Sequence, residues 1–286
     1  MIGFTLIWIG QLVSVLASNM SGFALTIWAF QMTGSATILG GMQIAFTIPF
    51  MLMSPIAGAM VDRYNRKLMM MVSDLGAVLA TSGILILDAS GQLAIWHMYI
   101  ASVIYGLSAT FQWPAYQAAI AVMVPKKQYG RANGMLSLVE SGPAVISPIL
   151  AGALLPFIGL TGILLIDVIT FFLAIGTLLV VSVPSPQKTE EGQAVKGSLL
   201  KEGLYGFRYI YERKSLLYLM ITILCINLVG GFSQSLFAPM LLLRSDNNST
   251  VLGVAQSVFS VGAVVGGLIV TAWGGFKKRI RGMLLG

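Results

Sequence analysis

The 286-residue chain carries few charges, since Asp, Glu, Lys and Arg make up 9% of it, against roughly 25% in an ordinary soluble domain. Hydrophobic residues make up 57% and the mean hydropathy is +0.87, which is more apolar surface than a soluble fold of this size can cover. The net charge of +7 comes from short basic clusters between apolar runs, a pattern that argues against a nucleic-acid-binding domain. The composition therefore indicates an integral membrane protein.

Eight apolar runs are each long enough to cross a membrane, which takes about 20 residues for a hydrocarbon layer about 30 Å thick. They are Phe4–Phe30, Ile38–Val61, Leu68–Leu87, Trp96–Ala119, Asn133–Ile158, Thr161–Val183, Leu216–Ala238 and Val251–Trp273. Turn-forming residues separate several of them, such as those around Gly34, Gly91 and Asn247. We predict an all-α membrane protein with eight transmembrane helices.

The basic residues indicate how these spans are oriented. If successive loops alternate sides, every Lys and Arg except Arg244 lies on one side of the membrane. Basic loops remain in the cytoplasm. We therefore expect a multi-pass protein of the cell membrane (the inner or plasma membrane) with a cytoplasmic N-terminus.

Spans one and four each carry polar side chains at helical spacing. Span one has Gln11, Ser14, Ser18 and Ser21, and span four has Ser102, Tyr105, Ala109, Gln112 and Tyr116. Trp113 adds an aromatic wall for an apolar ligand. Polar groups in lipid are costly unless they face protein or water, so both stripes are candidates for a functional surface. The alternative is that these side chains only hold neighbouring helices together by hydrogen bonds.

A charged motif lies between spans two and three, at Gly58, Asp62, Arg63, Arg66 and Lys67. Glycine allows two helices to approach closely, and the arginines can donate several fixed hydrogen bonds. The spacing resembles the cytoplasmic signature of the major facilitator superfamily, G-x-x-x-D-R-x-x-R-K. The resemblance implies a conformational latch between the two halves of a transporter. The alternative is a simple basic anchor on the cytoplasmic side.

The N-terminal residues narrow this resemblance. The run from Phe4 to Ser14, together with Trp28 and the turn from Thr33 to Ala36, is similar to the macrolide-efflux and enterobactin-exporter branch. This branch implies export of a hydrophobic or amphipathic compound, usually in exchange for protons. In the superfamily, spans one and four line the central cavity, so the resemblance implies that the two polar stripes meet the substrate.

The resemblance also implies which partners the protein has. They are the lipid bilayer, a small-molecule substrate and a coupling ion, H⁺. The sequence offers no phosphate-binding loop and no cluster of Cys and His, so we expect neither a cofactor, nor a metal, nor enzyme activity. We expect no nucleic acid partner.

Span five is rich in glycine and proline, at Gly142, Pro143, Pro148 and Gly152. Proline removes a backbone donor and glycine allows close packing, so we expect a bent and tightly packed helix. The motif is similar to the antiporter motif of efflux members of the superfamily. The alternative is that these residues serve helix packing alone.

Three acidic residues within the spans are considered for ion coupling. Glu140 in span five is the foremost candidate to carry a proton, and an ordinary paired carboxylate is its alternative. Asp167 in span six is a weaker candidate, and so is Asp74 in span three. Because the resemblance implies that their helices lie at the periphery, we expect structural roles for both. Superfamily exporters often carry an arginine where this chain has Tyr105, so coupling through that arginine is excluded.

The layout predicts three parts: residues 1–183 form a six-helix bundle, 184–215 a cytoplasmic loop with an amphipathic helix, and 216–286 the start of a second bundle. The resemblance implies a six-plus-six repeat, so we expect an incomplete chain with eight of twelve helices. We expect that this chain alone does not transport. The alternative functions are an uptake transporter of the same fold and a non-transporting membrane fragment or sensor.

Cys225 lies in an apolar run, and we expect it to be buried.

Overall fold

The computed structural model describes residues 2–125, 128–182 and 210–273. The helices are α1 (Ile2–Thr33), α2 (Ala36–Arg63), α3 (Arg66–Ala89), α4 (Ile95–Met123), α5 (Tyr129–Val180), α6 (Lys214–Arg244) and α7 (Ser249–Trp273). Five of them, α1, α2, α3, α5 and α6, are long and apolar enough to cross a membrane. The described residues contain no strand. The predicted all-α class is therefore confirmed.

The long element α5 consists of two helices that meet at Gly159, where φ is +67° and ψ is −177°. Only glycine adopts such a conformation without strain. We call residues 129–158 the first arm and residues 160–180 the second arm. Just after the break, the hydroxyl of Thr161 donates a hydrogen bond of 2.6 Å to Asp88 at the end of α3. With the two arms counted separately, the eight predicted spans correspond to eight helices.

Short turns join the helices at the positions that the sequence predicts. Gly34 ends α1 with a φ of +62° and donates its N–H to the carbonyl of Phe30 at 2.7 Å. Asp246 and Asn247 take up positive φ between α6 and α7. At the opposite end of the molecule, the side chain of Asn65 caps α3 by accepting from two backbone N–H groups.

Two apolar clusters hold the helices together at different depths. The N-terminal cluster lies near the start of α1 and includes Phe4, Met70, Tyr116, Val139 and Leu178. The distal cluster lies near the end of α1 and includes Ile27, Ile84, Met98, Leu164 and Leu252. Each cluster joins residues from at least four helices, so together they fix the two ends of the bundle.

Helix α7 packs against the first arm of α5 at what we call the α5–α7 seam, formed by Val145, Pro148, Gly152, Gly253 and Ser257. A Cβ at Gly253 would overlap the carbonyl of Pro148, so glycine is needed for this approach. The hydroxyl of Ser257 donates to the carbonyl of Val145 at 2.7 Å. The seam thus depends on small residues and hydroxyl groups.

Helix α6 contrasts with α7, because the described side chains from Leu219 to Leu236 are exposed. Cys225 lies in this stretch and is exposed. The expectation of a buried thiol was therefore wrong, since this face of α6 is not covered by the described residues. An apolar run shows that a helix prefers lipid or protein to water, but it does not distinguish the two.

The predicted boundaries between the six-helix bundle, the cytoplasmic loop and the second bundle lie in part outside the described residues. Residues 183–209, which include Leu200, Leu204 and Phe207 of the predicted amphipathic helix, are not described, and neither are residues 274–286. Tyr211, the last member of the predicted apolar face, is exposed. The amphipathic helix and the three-part division remain predictions.

Candidate functional site

A cavity of about 760 Å³ lies between the two apolar clusters. Helices α1 to α4, both arms of α5, α6 and α7 all contribute to its lining. Aromatic rings form much of its apolar wall, namely those of Phe46, Tyr105, Phe171, Phe237 and Phe259. A space of this size, mostly apolar with a few converging polar groups, has the character of a small-molecule site.

The polar stripe of α1 faces this cavity, as the sequence predicts. Gln11, Ser14, Ser18 and Ser21 all contribute to the lining, and Tyr105 and Gln112 of α4 lie opposite them. The hydroxyl groups of Tyr105 and Thr81 are 2.9 Å apart. Helices α1 and α4 therefore bring most of the predicted cavity residues together.

An uninterrupted hydrogen-bonded chain crosses this wall from α4 through α1 to α3. The amide of Gln112 donates to Gln11 Oε1 at 2.9 Å, and the amide of Gln11 donates to Asp74 Oδ2 at 3.2 Å. Gln11 is 3% exposed and Asp74 is 4% exposed. The carboxyl at the end of this chain is thus buried and accepts from a neutral amide.

A second carboxyl lies on the other side of α1. Ser18 donates a hydrogen bond of 2.9 Å to Asp167 Oδ1 in the second arm of α5, and Asp167 is 2% exposed. The expectation that the helices of Asp74 and Asp167 are peripheral needs correction, because both side chains line the cavity. Both carboxyls reach the cavity since their helices pack closely enough to α1 for direct hydrogen bonds.

Two predicted cavity residues lie outside the lining. The rings of Trp113 and Tyr116 stack on each other with centroids 5.7 Å apart, and Tyr116 is fully buried in the N-terminal cluster. Neither residue is among those that line the cavity. Their position on α4 lies beyond Gln112 toward the N-terminal cluster, and their contact with the substrate remains a prediction.

Glu140 is exposed on the first arm of α5 and does not line the cavity. The sequence missed several lining residues, including Gln43 and Phe46 of α2 and Gln234 and Gln256 of the last two helices. Spans two, seven and eight are each mostly apolar, and their isolated glutamines do not form a stripe at helical spacing. The sequence signal for these three residues is an amide inside an otherwise apolar span.

The charged motif between α2 and α3 makes hydrogen bonds at the N-terminal end of the bundle. Arg66 donates to the carbonyl of Ala118 in α4 at 2.9 Å. Lys67 donates to the carbonyls of Leu179 and Val181 at 3.1 and 3.0 Å. The carbonyl end of a helix carries partial negative charge, so Lys67 is favourably placed at the end of α5.

The structure shows fewer contacts for the other members of this motif, Gly58, Asp62 and Arg63. Arg63 is exposed, and the side chain of Asp62 lies outside the described ones. A Cβ at Gly58 would meet no heavy atom of the described structure within 4 Å. The expected close helix approach at Gly58 is therefore absent among the described residues, and the motif acts there through its cations.

The glycine- and proline-rich motif of the first arm divides into two parts. Pro148 and Gly152 belong to the α5–α7 seam, where the hydroxyl of Thr250 donates to the carbonyl of Gly152 at 3.1 Å. Pro143 is buried, whereas a Cβ at Gly142 would meet nothing within 4 Å in the described structure. The expected tight packing is confirmed for the second part of the motif.

Among the described residues, no group of three His, Cys, Asp or Glu side chains is placed to hold a metal ion. The cavity lining itself contains hydrogen-bonding side chains, two carboxyls and aromatic rings. This combination suits a reversibly bound organic molecule.

Known proteins resemble this chain over most of its length. Macrolide efflux protein A of Streptococcus pyogenes is 27% identical over 97% of this chain and 68% of its own length. Multidrug efflux pump Tap of Mycolicibacterium fortuitum is 25% identical over 92% of this chain and 66% of its own. The class H tetracycline resistance protein of Pasteurella multocida is 25% identical over 84% of this chain and 59% of its own length. These similarities confirm the resemblance to macrolide-efflux proteins.

The family model described as Major Facilitator Superfamily matches residues 7–286. The match spans the cavity, the charged motif and the α5–α7 seam. Together with the apolar helices, it identifies a multi-pass protein of the cell membrane. The chain belongs to the Major Facilitator Superfamily of membrane transporters.

Proposed function

We propose that this chain belongs to a secondary active transporter that exports a hydrophobic or amphipathic small molecule in exchange for protons. The observation that carries this proposal is the cavity, which combines aromatic walls with two buried carboxyls. An apolar ligand body fits against the aromatic rings, and the polar groups orient it. The similar proteins named for macrolide, tetracycline and multidrug efflux support a substrate of this kind.

The coupling ion requires a group that can take up and release a proton within the membrane. The sequence singles out Glu140 and Asp167 for this role. We favour Asp167, because it faces the cavity where substrate and proton can compete, whereas Glu140 is exposed outside the lining. Competition for one cavity is the simplest basis for exchange transport.

Alternating access requires that one half of the transporter moves against the other. Arg66 and Lys67 support this movement by tying α3 to α4 and to the end of α5. The six helices of residues 2–182 then move as one body, with their basic end and the N-terminus in the cytoplasm. The charged motif from Gly58 to Lys67 is the latch that holds one of the two states.

The transporter that contains this chain can be tested in inside-out vesicles with an imposed pH gradient and a fluorescent amphipathic dye. For Asp167→Asn, we expect gradient-driven export to fall by roughly tenfold or more, the effect of losing about 1.4 kcal/mol. Glu140→Gln is the matched control and should export normally. Normal export by Asp167→Asn would contradict the assignment, and dye movement in the opposite direction would establish the uptake alternative.

A further inference from the structure

The hydrogen bond between the hydroxyl groups of Tyr105 and Thr81 has only one direction that satisfies both residues. Thr81 Oγ1 lies 3.1 Å from the carbonyl oxygen of Ala77, one turn earlier in α3, and 2.9 Å from Tyr105 Oη. A carbonyl oxygen only accepts, so the single hydroxyl proton of Thr81 goes to Ala77. Tyr105 therefore donates its own proton to Thr81, and the Tyr105 oxygen is left as an acceptor.

This acceptor belongs to the cavity wall. Thr81 is fully buried, whereas Tyr105 is half-buried and lines the cavity. None of the hydrogen bonds among the described residues donates to the Tyr105 oxygen once Thr81 has given its proton to Ala77. Hydrogen bonds in series polarise one another, so donation to Thr81 makes the phenol oxygen a better acceptor. A bound molecule that presents an N–H group to this oxygen completes the series.

Two neighbouring helices hold Tyr105 in place. Its hydroxyl is tied to α3 through Thr81, and the next residue of α4, Gly106, packs against α2. A Cβ at Gly106 would overlap the backbone carbonyl of Phe46, so glycine is needed for this approach. Because the Tyr105 hydroxyl is already ordered, a ligand gains its hydrogen bond without the cost of immobilising that side chain.

The charges around Tyr105 favour a donor that is positively charged. Asp167 lies close enough to Tyr105 for the two groups to interact electrostatically, and no Lys, Arg or His of the described residues lines the cavity. A cationic nitrogen is therefore not repelled by a neighbouring cation, and hydrogen bonds from charged donors are stronger than those from neutral ones. A fully N-alkylated cation has the same charge but offers no proton to the Tyr105 oxygen.

We propose that Tyr105 is a specificity-determining residue of the cavity, which selects cations whose nitrogen carries an N–H over fully N-alkylated cations. Thr81 is a positioning residue, because it fixes the direction in which the Tyr105 hydroxyl donates. This inference rests on the proposed function and names the substrate group that the cavity recognises. It leaves the coupling proton with Asp167.

The test measures binding of two cationic dyes to the purified transporter that contains this chain, by fluorescence polarisation in detergent. Rhodamine 123 carries N–H groups, and tetramethylrhodamine methyl ester has the same charge without them. The preference for rhodamine 123 is the ratio of the two Kd values. Tyr105→Phe removes only the oxygen, so we expect this preference to fall at least about fivefold, as for the loss of a hydrogen bond to a charged group. Tetramethylrhodamine methyl ester should bind Tyr105→Phe as it binds the native protein.

Two further variants separate recognition from structure. Tyr99→Phe makes the same change on the same helix but outside the cavity lining, where the hydroxyl donates to the carbonyl of Ile38, and it should keep the native preference. Thr81→Val keeps the phenol but frees its proton to point at the ligand. The preference of Thr81→Val should therefore lie between those of the native protein and Tyr105→Phe. Circular dichroism and size-exclusion profiles establish that each variant is folded.

The outcomes distinguish this inference from the proposed function. If both dyes bind and Tyr105→Phe keeps the native preference, the inference is disproved and the cavity remains a substrate site. Equal losses for Tyr105→Phe and Tyr99→Phe would also disprove it, because the effect would then not depend on the cavity. If Thr81→Val keeps the native preference, the positioning role of Thr81 is disproved. If neither dye binds, the proposed function fails for this cavity together with the inference.

Discussion

Helices α6 and α7 follow each other in the chain and are both apolar, yet they contact the preceding helices very differently. Leu228 in the middle of α6 is 60% exposed, whereas Leu252 in α7 is fully buried. Both helices contain glycine and serine, and the difference lies in what these residues meet. In α7, Gly253 and Ser257 meet the backbone of α5, whereas a Cβ at Gly230 of α6 would meet nothing in the described structure.

This contrast shows what holds membrane helices together. Lipid tails are as apolar as leucine, so burying a leucine against another helix gains little over leaving it in lipid. Close backbone approach and hydrogen bonds between helices supply the specificity instead. Hydropathy therefore predicts that α6 and α7 enter the membrane, but both contain glycine and serine, so these residue types alone do not predict which of them packs against α5.

The largest expected effect comes from Gly253→Leu. The new side chain collides with the carbonyl of Pro148, and overpacking of this kind costs about 3 kcal/mol. Thermal unfolding in detergent should show a clear loss of stability. Gly230→Leu in α6 is the control and should unfold like the native chain. Equal destabilisation by both variants would show that the seam has no special role.

A smaller effect is expected from Ser257→Ala, which removes the hydrogen bond to the carbonyl of Val145. Hydrogen bonds between transmembrane helices contribute about 0.6 kcal/mol on average. Chemical denaturation in mixed micelles can measure this difference. Ser233→Ala serves as the control, because its hydroxyl bonds within α6 itself, to Val229. A larger loss for Ser233→Ala than for Ser257→Ala would contradict the comparison.

The smallest effect is expected from Cys225→Ser in α6. The thiol is exposed, so its replacement should change the free energy of unfolding by less than about 0.5 kcal/mol. The same unfolding measurement checks this. A loss of more than about 1.4 kcal/mol would indicate that part of α6 is covered by protein.

The helices were predictable from the sequence because each span must satisfy its own backbone hydrogen bonds in lipid, and this requires a long apolar run. The predicted boundaries fall within six residues of the observed ones. The polar stripe of α1 was predictable for a related reason, since unpaired polar groups do not remain in lipid.

The composition of the cavity was harder to predict, because it depends on the depth at which each side chain lies along its helix as well as on the face that it occupies. Tyr116 and Gln112 lie one turn apart on α4, yet one packs in the N-terminal cluster and the other lines the cavity. The placement of Asp74 and Asp167 in the cavity lining was not predicted either. Their partners on α1 lie many residues away in sequence, and no local pattern reveals such a pairing.

The hydrogen bonds of α1 bear on how the protein is made. This helix is synthesised first, and its Gln11 and Ser18 enter the bilayer long before their partners exist. Ser18 binds Asp167, which emerges 149 residues later. Until then these polar groups have no native partner, and in lipid that is unfavourable. The native hydrogen bond between α1 and the second arm of α5 can therefore form only late in assembly, after most of the chain has been inserted.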